Sequence, residues 1–211
     1  YWVCAVYLVL LAVAGIGAAL YMDNLKQYRI EMDTMRKVLA EPHTWVISTL
    51  YIGTFGSFIG FSFAFGQVLQ INFIAGGQST GQAALHAAQI AFLGPLLGSL
   101  SRVYGGRLAD RVGGGRVTLG AFCAMILAAG ILVSVSTFGD HRTGPAPTST
   151  MIGYVVGFVA LFILSGIGNG SVYKMIPSIF EARSHSLPVS EAERRQWSRS
   201  MSGALIGFAG A

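Results

Sequence analysis

Apolar residues fall in long runs along this chain, separated by short polar segments. The runs cover residues 1–21, 45–69, 84–104, 117–138 and 151–178, and another opens at 201–211. A bilayer core about 30 Å thick is crossed by ~20 apolar helical residues. Five spans and the start of a sixth are therefore predicted. The expected fold class is all-α, a polytopic transmembrane helix bundle.

The polar segments carry their own signals. In residues 23–41, Leu25, Tyr28, Met32, Met35 and Leu39 recur at helical spacing, and Asp33 and Lys37 form an i,i+4 pair. This predicts a helix lying along the membrane surface, with a solvated linker helix as the alternative. Ser190-x-x-Glu193, just after Pro188, is a capping box and predicts a short helix leading into the last run. The first run has no basic lead and no small-residue cleavage site, so it reads as a span and not as a signal peptide. The last run stops where a helix is beginning, and the chain is expected to be part of a longer one.

Composition supports the membrane reading. Only 11% of the 211 residues are charged and the mean hydropathy is +0.60, whereas a soluble domain carries about 25% charged residues. The 28 glycines suit close helix packing in lipid. The net charge of +5 would fit a nucleic-acid partner, but its distribution argues against one. Eleven of the fourteen basic residues lie in segments 22–44, 105–116 and 179–200. Arg142 alone lies in the alternate segments, and Arg102 and Lys174 lie within spans. By the positive-inside rule the basic loops are cytoplasmic and the protein is a multi-pass protein of the cell membrane. Cys4 and Cys123 sit in spans without metal-site spacing, and no metal or other cofactor is expected. Walker loops, nucleophile elbows and clustered His/Cys ligands are missing, so an enzyme is not expected.

Candidate chemistry centres on Arg102. A charge among membrane-spanning residues is costly and usually serves a substrate or a partner. Gly98, Arg102 and Gly106 share one helix face, which suits packing or a cavity. The alternative is that Arg102 snorkels to the near membrane surface. Lys174, nearer its span end, invites the same alternative. No Asp or Glu falls within a span, so Arg102 needs an anion from elsewhere. Tyr51 and Phe55, four apart, form an aromatic pair that serves either packing or a binding wall. Gly53, Gly56 and Gly60 lie on another side and would permit tight packing. In Ser165-Gly-Ile-Gly-Asn-Gly-Ser171, glycines 166, 168 and 170 weaken the helix around the Asn169 amide. The segment reads either as a broken, cavity-lining helix or as a Gly-xxx-Gly packing motif.

These residues carry a resemblance. Gly106-Arg-Leu-Ala-Asp110-Arg111-Val-Gly-Gly-Gly-Arg116 resembles the cytoplasmic loop motif of the major facilitator superfamily. The blocks Tyr51-Ile-Gly-Thr-Phe-Gly-Ser-Phe-Ile-Gly-Phe, Phe92-Leu-Gly-Pro-Leu-Leu-Gly-Ser-Leu-Ser-Arg102 and Gly166-Ile-Gly-Asn-Gly-Ser171 with Met175-Ile-Pro-Ser-Ile-Phe180 resemble the nitrate/nitrite porter family. The similarity runs from about residue 45 to 182.

The resemblance implies a twelve-helix transporter working by alternating access. Residues 1–21 would be its helix 6, 22–44 a cytoplasmic loop with the amphipathic helix, and 45–211 a C-terminal half ending at the start of helix 11. It implies nitrate and nitrite as the bound anions, with Arg102 as substrate arginine and Tyr51 and Phe55 flanking the ion. Asn169 with Gly166, Gly168 and Gly170 would shape the cavity or a hinge. The bilayer and an N-terminal half bearing a second arginine would be the remaining partners. Lys174 departs from the neutral polar residue expected there and touches the coupling mode. The lack of span carboxylates favours nitrate-for-nitrite exchange over proton symport. Two rival readings stay open: a facilitator exporting another organic anion or a drug, and a membrane sensor that does not transport.

Overall fold

Every apolar run is helical in the computed structural model, which describes residues 2–22, 32–139 and 144–210. One unit contains α1 (Trp2–Tyr21), of which Cys4–Tyr21 is long and apolar enough to cross a membrane.

The second unit, Met32–Ala211, holds α2 (Met32–Ala40), α3 (Pro42–Tyr51), a π turn (Ile52–Gly56), α4 (Ser57–Ala75), α5 (Thr80–Ala91), α6 (Leu93–Val112), α7 (Gly114–Gly139), α8 (Thr148–Ser184) and α9 (Glu191–Gly210). Four continuous stretches here are long and apolar enough to span: Pro42–Ala75, Thr80–Val112, Gly114–Thr137 and Thr148–Ser184. With α1 they account for the five predicted spans of a membrane helix bundle; 117–138 and 151–178 each lie within one longer helix, while 45–69 and 84–104 each run across two.

Local chemistry sets the ends. Proline is suited to a first helical turn because its missing N–H would have no partner there, and Pro42 opens α3. The Thr44 hydroxyl donates to the Val38 carbonyl at 2.6 Å and the Trp45 indole to the Leu39 carbonyl at 3.0 Å, satisfying the end of α2. Ser79 and Gln82 form a reciprocal capping box at the start of α5. Pro95 has no N–H for the Ala91 carbonyl, and α5 gives way to α6 there. Gly113, at φ 96°, adopts the left-handed backbone that ends α6. The predicted Ser190/Glu193 capping box forms, and its hydrogen bonds hold the Glu193 carboxyl below the usual carboxylate range. It opens one continuous helix, α9, which begins ten residues before the predicted run at 201.

The predicted surface helix is only partly as expected. Leu25 and Tyr28 lie outside the described residues. In α2, Lys37 pairs with Asp33 at 2.5 Å, but the fully buried residue is Val38, which is not in the predicted stripe. Val38 joins Ile47, Tyr51, Val172, Ile176, Phe180, Met201 and Leu205 in a core where α2, α3, α8 and α9 meet. A second core, towards the other end, gathers Phe65, Leu69, Phe158 and Phe162.

α8 is the centre of this unit, packed most extensively on α6 and α7. The α6–α8 seam brings backbone against backbone. A Cβ on Gly166 would overlap the Gly98 carbonyl oxygen, one on Gly170 the Arg102 carbonyl oxygen, and one on Gly105 the backbone of Ile167. On the other flank, Ser171 donates to the Gly114 carbonyl at 2.7 Å and meets the Thr118 hydroxyl at 2.9 Å.

Candidate functional site

Three helices bring Tyr51, Arg102 and Tyr173 to one depth. Tyr51 lies nine residues after Pro42, Arg102 ten before Val112 and Tyr173 eleven before Ser184. At 1.5 Å per residue these are ~14–17 Å of helix from those ends, two to three turns inside each helix. The ends belong to one side, since Arg183 at the end of α8 bonds to Glu41 before α3, and Lys174 of α8 pairs with Asp110 near the end of α6. That side carries Arg107, Arg111, Arg116, Arg183, Arg194 and Arg195; Arg142 lies outside the described residues.

Arg102 was expected near a span end, but α6 runs on to Val112. The added turns carry Arg107, Asp110 and Arg111, so they do not place Arg102 deeper in the apolar stretch. Its guanidinium carbon lies 4.8 Å from the centroid of the Tyr173 ring. The ion pairs among the described residues do not include Arg102.

The aromatic pair is arranged differently from the flanking geometry that the resemblance implies. The Tyr51 and Phe55 rings stack on each other, centroids 5.3 Å apart and 19° between planes. A flat ion between two rings needs them about 7 Å apart, two contact distances. In this arrangement the pair makes one wall, not two jaws. Phe58 extends the wall beyond Phe55 at 6.4 Å and 7°. Tyr173 meets Tyr51 edge-on at 5.2 Å and donates its hydroxyl to the Tyr51 hydroxyl at 3.3 Å.

The π turn begins just after Tyr51 and contains Phe55. Such turns displace carbonyls from the helical ladder and recur at functional sites. Here hydroxyls take up the carbonyls: Thr54 donates to Leu50 at 3.1 Å and Tyr51 at 3.2 Å, and Ser165 of α8 donates to the Thr54 carbonyl. The glycines expected to pack on this helix divide. A Cβ on Gly53 would meet Phe122, whereas Gly60 has open space.

Asn169 shares its helix face with Ser165 and Tyr173, so it lies on the side of α8 turned to Tyr51 and Thr54. It is 3% exposed, and neither its amide nitrogen nor its oxygen has a hydrogen-bond partner. A buried amide without partners costs ~1–3 kcal/mol, which marks a place where a polar ligand would be welcome. The glycines around it do not break the helix, since α8 is continuous from Thr148 to Ser184. Gly166 and Gly170 seat α6, and a Cβ on Gly168 would press on Thr54 and Ala121. They act as packing glycines, the second of the two readings, because their missing side chains admit neighbouring helices.

The expected cytoplasmic loop motif is helical. Gly106, Arg107, Asp110 and Arg111 occupy the last turns of α6, and Arg116 the start of α7. Lys174 pairs with Asp110 at 3.1 Å, both side chains 54% exposed. An exposed pair of this kind contributes ~0.2–1 kcal/mol. Lys174→Gln is therefore expected to lower the thermal midpoint only slightly, read by a melting curve in detergent. A large drop would make the pair a structural latch.

The sequence reading missed Tyr173, Phe58, Thr54 and Ser165. Tyr173 carried a visible signal, standing four residues after Asn169 on the same face. The π turn carried none, because one inserted residue leaves hydrophobic periodicity almost unchanged.

No protein-family model matches the chain. Among curated proteins it is 35% identical over 175 residues to the nitrate/nitrite transporter NarU of Salmonella typhimurium, covering 83% of this chain and 34% of that protein. It is 37% identical over 156 residues to the probable nitrate/nitrite antiporter NarK2 of Thermus thermophilus, covering 74% and 32%. It is 31% identical over 176 residues to the nitrite extrusion protein of Bacillus subtilis, covering 82% and 40%. The chain thus spans about a third of the length of the relatives it matches.

Proposed function

This chain belongs to the nitrate/nitrite porter family, and from that premise we propose that it forms the C-terminal half of a membrane transporter moving nitrate and nitrite. In this reading residues 45–211 belong to the second of two halves that rock around a midplane site, as far as the start of helix 11. An N-terminal half of the same protein supplies the opposite wall. The basic ends face the cytoplasm.

The observation that carries the proposal is Arg102: a cation ten residues inside the end of α6, over the Tyr173 ring, with no carboxylate paired to it among the described residues. Such a charge calls for an anion. Nitrate is planar, monovalent and weakly hydrated, and a guanidinium offers it two parallel N–H donors. The wall of Tyr51, Phe55 and Phe58 gives a flat ion a flat surface on one side. Asn169 adds a buried amide without partners on the face of α8 that also carries Tyr173. Nitrite shares the charge and planarity, so both ions fit.

Exchange is the mode the residues favour, because the carboxylates of these helices, Asp110 and Glu181, stand in their charged last turns and Asp110 is already paired with Lys174. Uptake of labelled nitrate into nitrite-loaded proteoliposomes, with a proton ionophore present, tests this. Uptake that persists is expected; uptake that collapses with the pH gradient would make the transporter a proton symporter.

A further inference from the structure

We propose that Tyr173 is a positioning residue of the anion site, its ring holding the Arg102 guanidinium and its hydroxyl holding Tyr51. The inference rests on the reading of Arg102 and Tyr51 as anion-binding groups, and adds the part that fixes their geometry.

Tyr173 touches both groups. Its ring lies 4.8 Å from the guanidinium carbon of Arg102, and its hydroxyl bonds to Tyr51 at 3.3 Å. An aromatic face attracts a cation through its quadrupole and uses none of the cation's N–H donors. An ion pair would orient Arg102 too, but would occupy the fork that must grip the substrate. The ring therefore limits where the long side chain can go and leaves its donors for the anion.

The hydroxyl acts on Tyr51. Tyr51 is 8% exposed, stacked on Phe55 and crossed by the Tyr173 ring, so its hydroxyl has little freedom. When Tyr173 donates to the Tyr51 oxygen, the Tyr51 proton is left to point elsewhere, as one O–H donor beside the arginine. A hydroxyl that accepts one hydrogen bond becomes a better donor in the next, particularly away from bulk water.

The backbone fixes the same arrangement. Gly170, one turn before Tyr173, lets α8 close on the Arg102 carbonyl, so the two residues are held on helices in direct contact. If Tyr173 were only packing, phenylalanine would serve as well; the hydroxyl is the atom that separates the two accounts.

The test is the nitrate dissociation constant, with a thermal midpoint beside it, for the full-length protein and four variants: Tyr173→Phe, Tyr173→Leu, Tyr51→Phe, and Tyr51→Phe with Tyr173→Phe. Tyr173→Phe is expected to weaken binding roughly fivefold, one neutral hydrogen bond's worth, with the midpoint unmoved. Tyr173→Leu, which also removes the ring, weakens it further. The double variant binds no worse than Tyr51→Phe alone, because the Tyr173 hydroxyl acts through Tyr51. Wild-type affinity in Tyr173→Phe overturns the proposal. So do losses that add in the double variant, or a midpoint that falls in step with affinity. A wild type that binds no nitrate overturns the functional reading and this inference with it.

Discussion

Gly170→Ala is expected to disrupt the α6–α8 seam, a large loss of stability for a single added methyl group. The added Cβ would collide with the carbonyl oxygen of Arg102 and approach the backbone nitrogen of Gly106 at 2.9 Å. Both are backbone atoms in the middle of a helix, so neither can swing aside as a side chain would. The helices must separate, and the seam loses contacts along Gly98, Gly105 and Gly166 as well. Overpacking a tight interior costs about 1–3 kcal/mol, occasionally more, and the rigid neighbours put this site at the upper end. Alanine's better helix propensity returns only about 1 kcal/mol. The same change at Gly120 or Gly130 of α7, where nothing lies within 4 Å, is expected to be neutral or stabilising. Thermal midpoints of the full-length variants in detergent distinguish these. A Gly170→Ala protein that melts with the wild type would mean that α6 and α8 do not approach as described.

Arg102→Lys is expected to reduce nitrate transport by about 10- to 100-fold without unfolding the protein. Lysine keeps the charge but presents it as a point, without the planar fork that donates two parallel bonds. Losing one charge-assisted hydrogen bond costs ~1.5–3 kcal/mol, which is a factor of about 10 to 100. The ammonium also gives up the guanidinium's broad stacking on Tyr173. Arg102 is exposed on this segment and has no ion-pair partner among the described residues, so the fold does not depend on its shape. Transport assays in proteoliposomes, with expression and melting as controls, give the answer. Equal transport by both proteins would reduce Arg102 to a charge that merely lies near the basic end.

Much of this was legible in the sequence, for identifiable reasons. Long apolar runs have few alternatives to spanning helices, and five of them became helices that span. Their ends were misjudged where charged, glycine-rich residues closed an apolar run. The pairs Gly105-Gly106 and Gly114-Gly115 look like a loop, yet they sit in helices because α8 packs against Gly105, Gly106 and Gly114. Burial against a neighbour overrode their poor helix propensity. Likewise Arg194, Arg195 and Arg199 concealed the continuity of α9, although the cap at Ser190 marked its true start.

The site was legible as a set of residue types, less so as geometry. An arginine without a carboxylate partner and a nearby aromatic pair can be read from sequence. That Tyr51 and Phe55 stack on one face follows from their spacing, but the π turn through Phe55 and the crossing of Tyr51 by Tyr173 do not show in that spacing. Glycines 166 and 170 left two readings open, a weakened helix and a packing motif, and α8 is continuous through both. They do not soften α8; they seat Arg102's helix against it.

The most direct test of the central claim is counterflow with the full-length protein in proteoliposomes, labelled nitrate outside and either nitrite or sulfate inside. Labelled nitrate is predicted to accumulate against internal nitrite and not against internal sulfate, whose greater hydration and doubled charge do not suit a flat monovalent site. Absence of uptake in both cases, or equal uptake in both, would contradict the account.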